Sequence, residues 1–85
     1  MQTFRYTIQD ELGIHARPAG LFVKEASGFS CKITVSKDKK IVNAKSILAV
    51  MGLGVQCGQE IVITAEGPQE EAAVTCLKAF LEENL

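Results

Sequence analysis

Apolar and polar residues alternate in two separate runs of the chain, and a period of two is typical of half-buried β-strands. The apolar positions are Phe4, Tyr6 and Ile8 in the first run and Cys31, Ile33 and Val35 in the second. The charged residues 37–40 then predict a hairpin tip, and residues 41–43 predict a short return strand. A further apolar run at 61–63 completes a set of four predicted strands.

Two longer segments follow the helical spacing of three and four residues. The apolar positions of the first are Ala19, Phe22, Val23 and Ala26, and those of the last are Ala73, Leu77, Phe80 and Leu81. The first predicted helix begins near Ala16 and ends at Gly28. The last is predicted to begin at residues 67–68, with Pro68 in its first turn and Glu70 and Glu71 near its positive end.

A short helix is predicted between them, over residues 47–53, with Ser46 as its N-cap. Its apolar residues Ile47, Val50, Met51 and Leu53 can face the core, whereas Leu48 is expected to point outward. The full order of predicted elements is therefore βαββαβα.

This order constrains the architecture, because the chain has only 85 residues. Four strands and three helices in so short a chain favour one four-stranded antiparallel sheet, with all three helices on one face and solvent on the other. The predicted fold class is α+β, an open-faced β-sandwich. A chain of this length has no material for a second core, so residues 1–85 are expected to form a single domain.

Composition narrows the function classes without choosing among them. Hydrophobic residues make up 47% of the chain, enough for a packed core, and the net charge of −1 gives no basic footprint for nucleic acid or an anionic membrane. No apolar run approaches the ~20 residues of a membrane span. The three cysteines, Cys31, Cys57 and Cys76, are odd in number and widely spaced, which fits neither a disulfide framework nor a zinc site. A reducing cytoplasm is expected, and their individual roles stay open.

The only histidine, His15, lies where the first loop enters the first helix. Proline is tolerated in the first turn of a helix but costs ~3 kcal/mol in its interior, so Pro18 places the helix start within about three residues upstream. His15 is therefore predicted at or next to the N-cap. The free N–H groups of Ala16 and Arg17, the positive helix end and the Arg17 guanidinium together suit a phosphate. A neutral imidazole nitrogen beside them is a competent nucleophile near pH 7.

Two other interpretations of His15 remain open at this point. A lone histidine in a loop is commonly a solvated surface residue. A metal ligand is the weaker alternative, because the chain has no second histidine and its cysteines lie on separate predicted elements. We expect no metal and no cofactor.

Ser46 is a second candidate for phosphate chemistry. Serine is a good N-cap, so a purely structural role is the simplest interpretation. A phosphoserine there would place a charge of about −2 at a helix N-terminus, and its ester is stable enough for a regulatory mark. Around it, exposed apolar residues suggest a docking surface, comprising Gly20, Leu21, Ile47, Leu48 and Met51. Ordinary packing is the alternative for each of them, and the lysines at 37–45 are interpreted as solvated.

Two motifs resemble the active-site and regulatory-site motifs of the HPr family, the histidine-containing phosphocarriers of the bacterial sugar phosphotransferase system. They are GIHARPA at residues 13–19 and NAKSILAVMGLG at residues 43–54, and the similarity spans essentially the whole chain. The resemblance implies a cytoplasmic carrier, not an enzyme, in which His15 takes phosphate from phospho-enzyme I as a pros-phosphohistidine. It passes the group to the IIA domain of a sugar permease, and Arg17 holds the phosphate. We expect a monomer.

The resemblance further implies that, in Gram-positive relatives, an HPr kinase/phosphorylase phosphorylates the serine that matches Ser46. That modification slows the histidine relay and promotes binding to a catabolite-control repressor. Two alternatives stay open: a mainly regulatory binding module that acts through phosphorylated Ser46, and a carrier of the nitrogen-related branch. The presence of His15 excludes the family variant that lacks the histidine.

Overall fold

The alternating runs form one four-stranded antiparallel sheet in the computed structural model, which describes residues 1–85. The strands are β1 (Gln2–Thr7), β2 (Lys32–Lys37), β3 (Lys40–Asn43) and β4 (Glu60–Glu66). Their order across the sheet is β1-β4-β2-β3. Strand β4 extends beyond the predicted residues 61–63 because it is central and pairs with β1 on one side and β2 on the other.

The three helices lie close to their predicted positions. They are α1 (Ala16–Ser27), α2 (Ile47–Gly52) and α3 (Glu70–Asn84). Helix α1 ends at the predicted Gly28, whose N–H donates to the carbonyl oxygen of Glu25 at 3.1 Å. Helix α2 ends one residue earlier than predicted, because Leu53 is its C-cap.

The predicted start of α3 was wrong, since Pro68 precedes the helix instead of lying in its first turn. Gly67 (φ +120°) and Gln69 (φ +66°) both have left-handed backbone conformations, so the chain turns there before it can enter the helix. The Glu70 carboxylate accepts the Gly67 N–H at 3.0 Å, which closes this turn. The ion pair with the ammonium group of Met1 lowers the pKa of Glu70, and the hydrogen bond from Gly67 lowers it further.

The core lies between the sheet and the helices, all of which cover the same face. Buried residues of the sheet meet buried residues of the helices there, including Ile33, Val35, Ile61 and Ile63 from strands and Phe22, Val50, Leu77 and Leu81 from helices. On the other face, the side chains of β1 are exposed, and Arg5 pairs there with Glu60 at 3.1 Å. The predicted α+β open-faced sandwich is confirmed. None of the helices combines the length and apolar character needed to cross a membrane.

The sequence predicted that the lysines of the β2–β3 hairpin are only solvated, but two of them donate hydrogen bonds to backbone carbonyl oxygens. Lys40 Nζ donates to the carbonyl oxygen of Gly52, and Lys37 Nζ donates to that of Gly54, each at 3.3 Å. Both carbonyls lie at the C-terminal end of α2, where positive charge interacts favourably with the helix dipole. The hairpin therefore stabilises the end of α2 opposite Ser46.

Gly13 holds the loop between β1 and α1 against the loop before β4. Its φ is +68°, and a Cβ atom built on it would lie 2.3 Å from the carbonyl oxygen of Val55. The next residue, Ile14, donates its N–H to that same oxygen at 3.0 Å. Only glycine permits both the backbone conformation and this close approach.

The three cysteines occupy different environments. Cys31 is buried in the core, Cys57 is exposed in the loop before β4, and Cys76 is partly buried on α3. Burial raises the pKa of the Cys76 thiol, and so does the Glu25 carboxylate, which accepts its S–H at 3.2 Å. The thiols therefore differ in access to solvent, and the raised pKa of Cys76 lowers the thiolate content of that residue.

Replacing Gly13 by alanine should lower the free energy of unfolding by about 2 kcal/mol or more, since the left-handed conformation and the collision with Val55 add. Gly52→Ala is the matched control, because nothing lies within 4 Å of its Cβ position and its φ is not positive. That substitution should be neutral or stabilise by up to ~1 kcal/mol. Urea denaturation of both variants measures this difference, and equal stabilities would contradict the assigned role of Gly13.

Thiol titration with a chromogenic disulfide should modify Cys57 first, Cys76 slowly and Cys31 only after unfolding, because the thiolate is the reactive form. Glu25→Gln removes the carboxylate that helps to raise the pKa of Cys76, so it should speed modification of that thiol near pH 8. Modification of Cys76 as fast as Cys57 in the unaltered protein would contradict this account.

Candidate functional site

His15 is the N-cap residue of α1, as the sequence predicted. Its backbone is extended (φ −110°, ψ 177°), its carbonyl oxygen accepts the Ala19 N–H at 2.9 Å, and its side chain makes no capping hydrogen bond. An N-cap serine or aspartate would satisfy a free amide of the first turn. Here the imidazole stands at the helix start without doing so.

The first turn of α1 leaves two backbone donors open, those of Ala16 and Arg17. Pro18 has no N–H, and Ala19 is the first residue to donate within the helix. No acidic side chain lies in this turn. No acidic residue of this turn therefore offsets the positive end of the helix dipole.

Arg17 adds an exposed positive charge to this helix start. Its side chain is exposed and forms no ion pair with another residue. The guanidinium and the imidazole border one shallow surface depression of about 190 Å³, lined by Asp10, His15, Arg17, Pro18, Leu21 and Asn84. Arg17 and His15 thus share one open surface beside the helix start that carries the two open amides, and this combination suits a phosphoryl group.

Asp10 is a member of this site that the sequence reasoning missed. Its Oδ2 lies 3.6 Å from Nε2 of His15, close enough for an ionic interaction whenever the imidazole is protonated. No motif marks this carboxylate, because its approach depends on the fold of the loop between β1 and α1. An acidic residue in the loop just before the histidine was the only available signal.

Ser46 caps α2, as predicted. Its Oγ accepts the Ala49 N–H at 3.3 Å, and its side chain remains partly accessible. The neighbouring Lys45 is turned away from it, since its Nζ donates to the carbonyl oxygen of Phe29 at 2.6 Å. Ser46 therefore lies outside the depression around His15, on a separate helix start.

The predicted apolar surface is continuous from α1 to α2. Its exposed fractions are 84% for Leu48, 45% for Leu21, 43% for Ile47 and 38% for Met51. The expectation that Ile47 and Met51 face the core was wrong, because the short helix α2 turns only Val50 inward and Leu53 follows it at the cap. Gly20 is half-buried, and its Cβ position lies 3.6 Å from Cδ1 of Ile47, so it joins the two helices.

No group of three or more histidine, cysteine, aspartate or glutamate side chains is placed to hold a metal ion. The structure thus brings His15, Arg17, Ala16 and Leu21 together, adds Asp10, and links them through Gly20 to the apolar residues that follow Ser46.

Comparison with known proteins identifies relatives over nearly the whole chain. A family sequence model described as "PTS HPr component phosphorylation site" matches residues 2–83. The phosphocarrier protein HPr of Lysinibacillus sphaericus is 42% identical over 83 residues, covering 98% of this chain and 94% of that protein. The HPr-like protein Crh of Bacillus subtilis is 44% identical over 73 residues, 86% of each chain. The solved structure of HPr-C-His from Thermoanaerobacter tengcongensis superposes with a TM-score of 0.94 at 47% identity, covering 98% of this chain and 93% of that one.

Proposed function

Since the chain belongs to the HPr family of phosphocarrier proteins, we propose that it accepts a phosphoryl group on His15 and passes it to another protein. The observation that carries this proposal is the helix start itself. A histidine occupies the N-cap without capping, beside two open amides and the unpaired guanidinium of Arg17. A site built only for stability would place a capping oxygen there.

The transfer step follows from this arrangement. The Nδ1 lone pair of neutral His15 attacks the phosphorus of the donor, an Nδ1–P bond forms, and the bond from phosphorus to the donor breaks with its electron pair leaving on the donor. The amides of Ala16 and Arg17 and the Arg17 guanidinium stabilise the negative oxygens. Because the protein must be charged again after each transfer, it acts as a stoichiometric carrier and not as an enzyme.

The proposed donor is enzyme I, and the proposed acceptors are the IIA domains of sugar permeases. Both must reach an exposed imidazole, and the apolar surface of Leu21, Ile47, Leu48 and Met51 beside it offers a shared place to dock. The proposal needs no cofactor, no nucleic acid and no membrane insertion. We further propose that residues 1–85 act as one HPr domain, as a monomer in the cytoplasm.

A second role, regulation through Ser46, is favoured by the position of its hydroxyl. The Oγ atom is partly accessible and immediately precedes the exposed Ile47 and Leu48. A phosphate there would add about two negative charges beside the docking surface. We propose that an HPr kinase/phosphorylase makes this modification, which weakens docking of enzyme I and creates a surface for a catabolite-control repressor.

Incubation with phosphoenolpyruvate and active enzyme I should label the protein with an acid-labile, base-stable phosphate, and His15→Ala should abolish the label. Arg17→Ala should slow labelling by about tenfold to a hundredfold, because it removes a charged donor from the developing phosphate. The labelling rate of Arg17→Lys should lie between those of the unaltered protein and Arg17→Ala, since lysine keeps the charge but lacks the planar guanidinium group. Initial rates from radiolabelled phosphoenolpyruvate measure these differences.

Lys24→Ala is the matched control for Arg17, because it removes a like charge from the last turn of α1, away from the site. Its labelling rate should equal that of the unaltered protein. Persistent acid-labile labelling of the His15→Ala protein would contradict the proposal, and so would equal rates for the Lys24 and Arg17 variants.

Protein carrying authentic phosphoserine at Ser46 should accept phosphate on His15 about tenfold more slowly or worse, because the added charges beside the apolar docking surface must be desolvated when a partner docks. Ser46→Ala should retain the relay but lose about 1 kcal/mol of stability with its cap hydrogen bond. Labelling rates and denaturation separate the two effects. An unchanged labelling rate for the phosphoserine form would rule out regulation of the relay through this residue.

A further inference from the structure

Asp10 is the only acidic side chain that approaches His15 within 4 Å, and it approaches one particular nitrogen, Nε2. We propose that Asp10 is a positioning residue that directs the phosphoryl group to Nδ1 of His15 and away from Nε2. This inference rests on the proposed phosphocarrier function and adds to it the determinant of which ring nitrogen reacts.

The carboxylate is fixed in place by its own loop. The backbone N–H of Asp10 donates to the backbone oxygen of Leu85 at 2.8 Å, and the carbonyl oxygen of Asp10 accepts the Gly13 N–H at 2.9 Å. Its Oδ1 accepts the Leu12 N–H at 2.8 Å. Three hydrogen bonds thus hold the residue, and Oδ2, the atom that faces His15, is left without one. The contact is preorganised and does not depend on a freely rotating side chain.

A carboxylate beside Nε2 affects both nitrogens of the ring. It favours the form in which Nε2 carries the proton, because an N–H is attracted by the negative oxygen and a lone pair is repelled. The remaining lone pair is then on Nδ1, the ring nitrogen nearer to the main chain of His15 at the start of α1. The same negative charge repels a phosphoryl group that approaches Nε2. The preference for a proton on Nε2 and the repulsion of phosphate from Nε2 both favour reaction at Nδ1.

The carboxylate also suits the product. When Nδ1 bonds to phosphorus while Nε2 keeps its proton, the ring becomes a cation, and its positive N–H faces Asp10. The side chains are partly accessible, 37% for His15 and 29% for Asp10, so solvent screens this interaction in part. We therefore expect Asp10 to favour reaction at Nδ1 over Nε2 by a few fold, without blocking Nε2 completely.

Phosphoramidate, a small-molecule phosphoryl donor, tests this inference without enzyme I, whose own site could otherwise impose the choice of nitrogen. In the reaction the histidine lone pair forms the N–P bond, the bond between phosphorus and the amino nitrogen of phosphoramidate breaks, and ammonia leaves with that electron pair. Phosphorus-31 and nitrogen-15 NMR of the product distinguish phosphate on Nδ1 from phosphate on Nε2. Nitrogen-15 shifts of the unphosphorylated ring report which nitrogen holds the proton.

The informative variant is Asp10→Asn, because the amide oxygen can still accept the Leu12 N–H while the charge is lost. Glu11→Gln is the matched control, since it removes the same charge from an exposed neighbour in the same loop. The unaltered protein and the Glu11 variant should react at Nδ1. The Asp10 variant should show a ratio of Nε2 to Nδ1 product raised about fivefold, with more of the ring protonated on Nδ1.

An Asp10→Asn protein with the regiochemistry and ring protonation of the unaltered protein would overturn the inference, and native amide NMR spectra confirm that the variant is folded. Enzyme I could fail to label His15 while phosphoramidate reacts at Nδ1 and the Asp10 variant shows the expected shift in product ratio. That result would contradict the carrier function and leave the role of Asp10 intact. Absence of His15 labelling from both donors would overturn both proposals.

Discussion

The candidate site depends on how the loop between β1 and α1 is held. Backbone hydrogen bonds hold it at two places: the Asp10 N–H donates to the backbone oxygen of Leu85, and the Ile14 N–H donates to the carbonyl oxygen of Val55. Gly13 permits the second because no side chain could fit against Val55. With its start fixed in this way, α1 presents open amides and an imidazole at a defined point on the surface.

Two helix starts on this surface are used in different ways. Ser46 satisfies a free amide of α2 with its own side chain, which is the usual stabilising arrangement. His15 leaves the amides of α1 open and gives up that stabilisation. The difference matches the chemistry proposed for each: a labile phosphoryl group held by open donors on α1, and a stable ester on a residue that otherwise serves as a cap.

Local patterns predicted the elements, the fold class and the helix position of His15, since alternation, helical spacing and Pro18 act over a few residues. The errors arose where tertiary contacts decide. The start of α3 depends on two left-handed residues, Gly67 and Gln69, and the exposure of Met51 depends on which side of α2 finds a neighbour. Asp10 escaped notice for the same reason, because only the folded loop brings it to Nε2 of His15.

The central claim is that the open amides of Ala16 and Arg17 form the phosphate-binding half of the site, with His15 as the other half. Amide NMR spectra of the protein before and after phosphorylation of His15 test it most directly. The account predicts selective downfield shifts and slowed exchange for the amide protons of these two residues, as hydrogen bonds to phosphate oxygens form. Phosphorylation of His15 that leaves both amide resonances unchanged would contradict it.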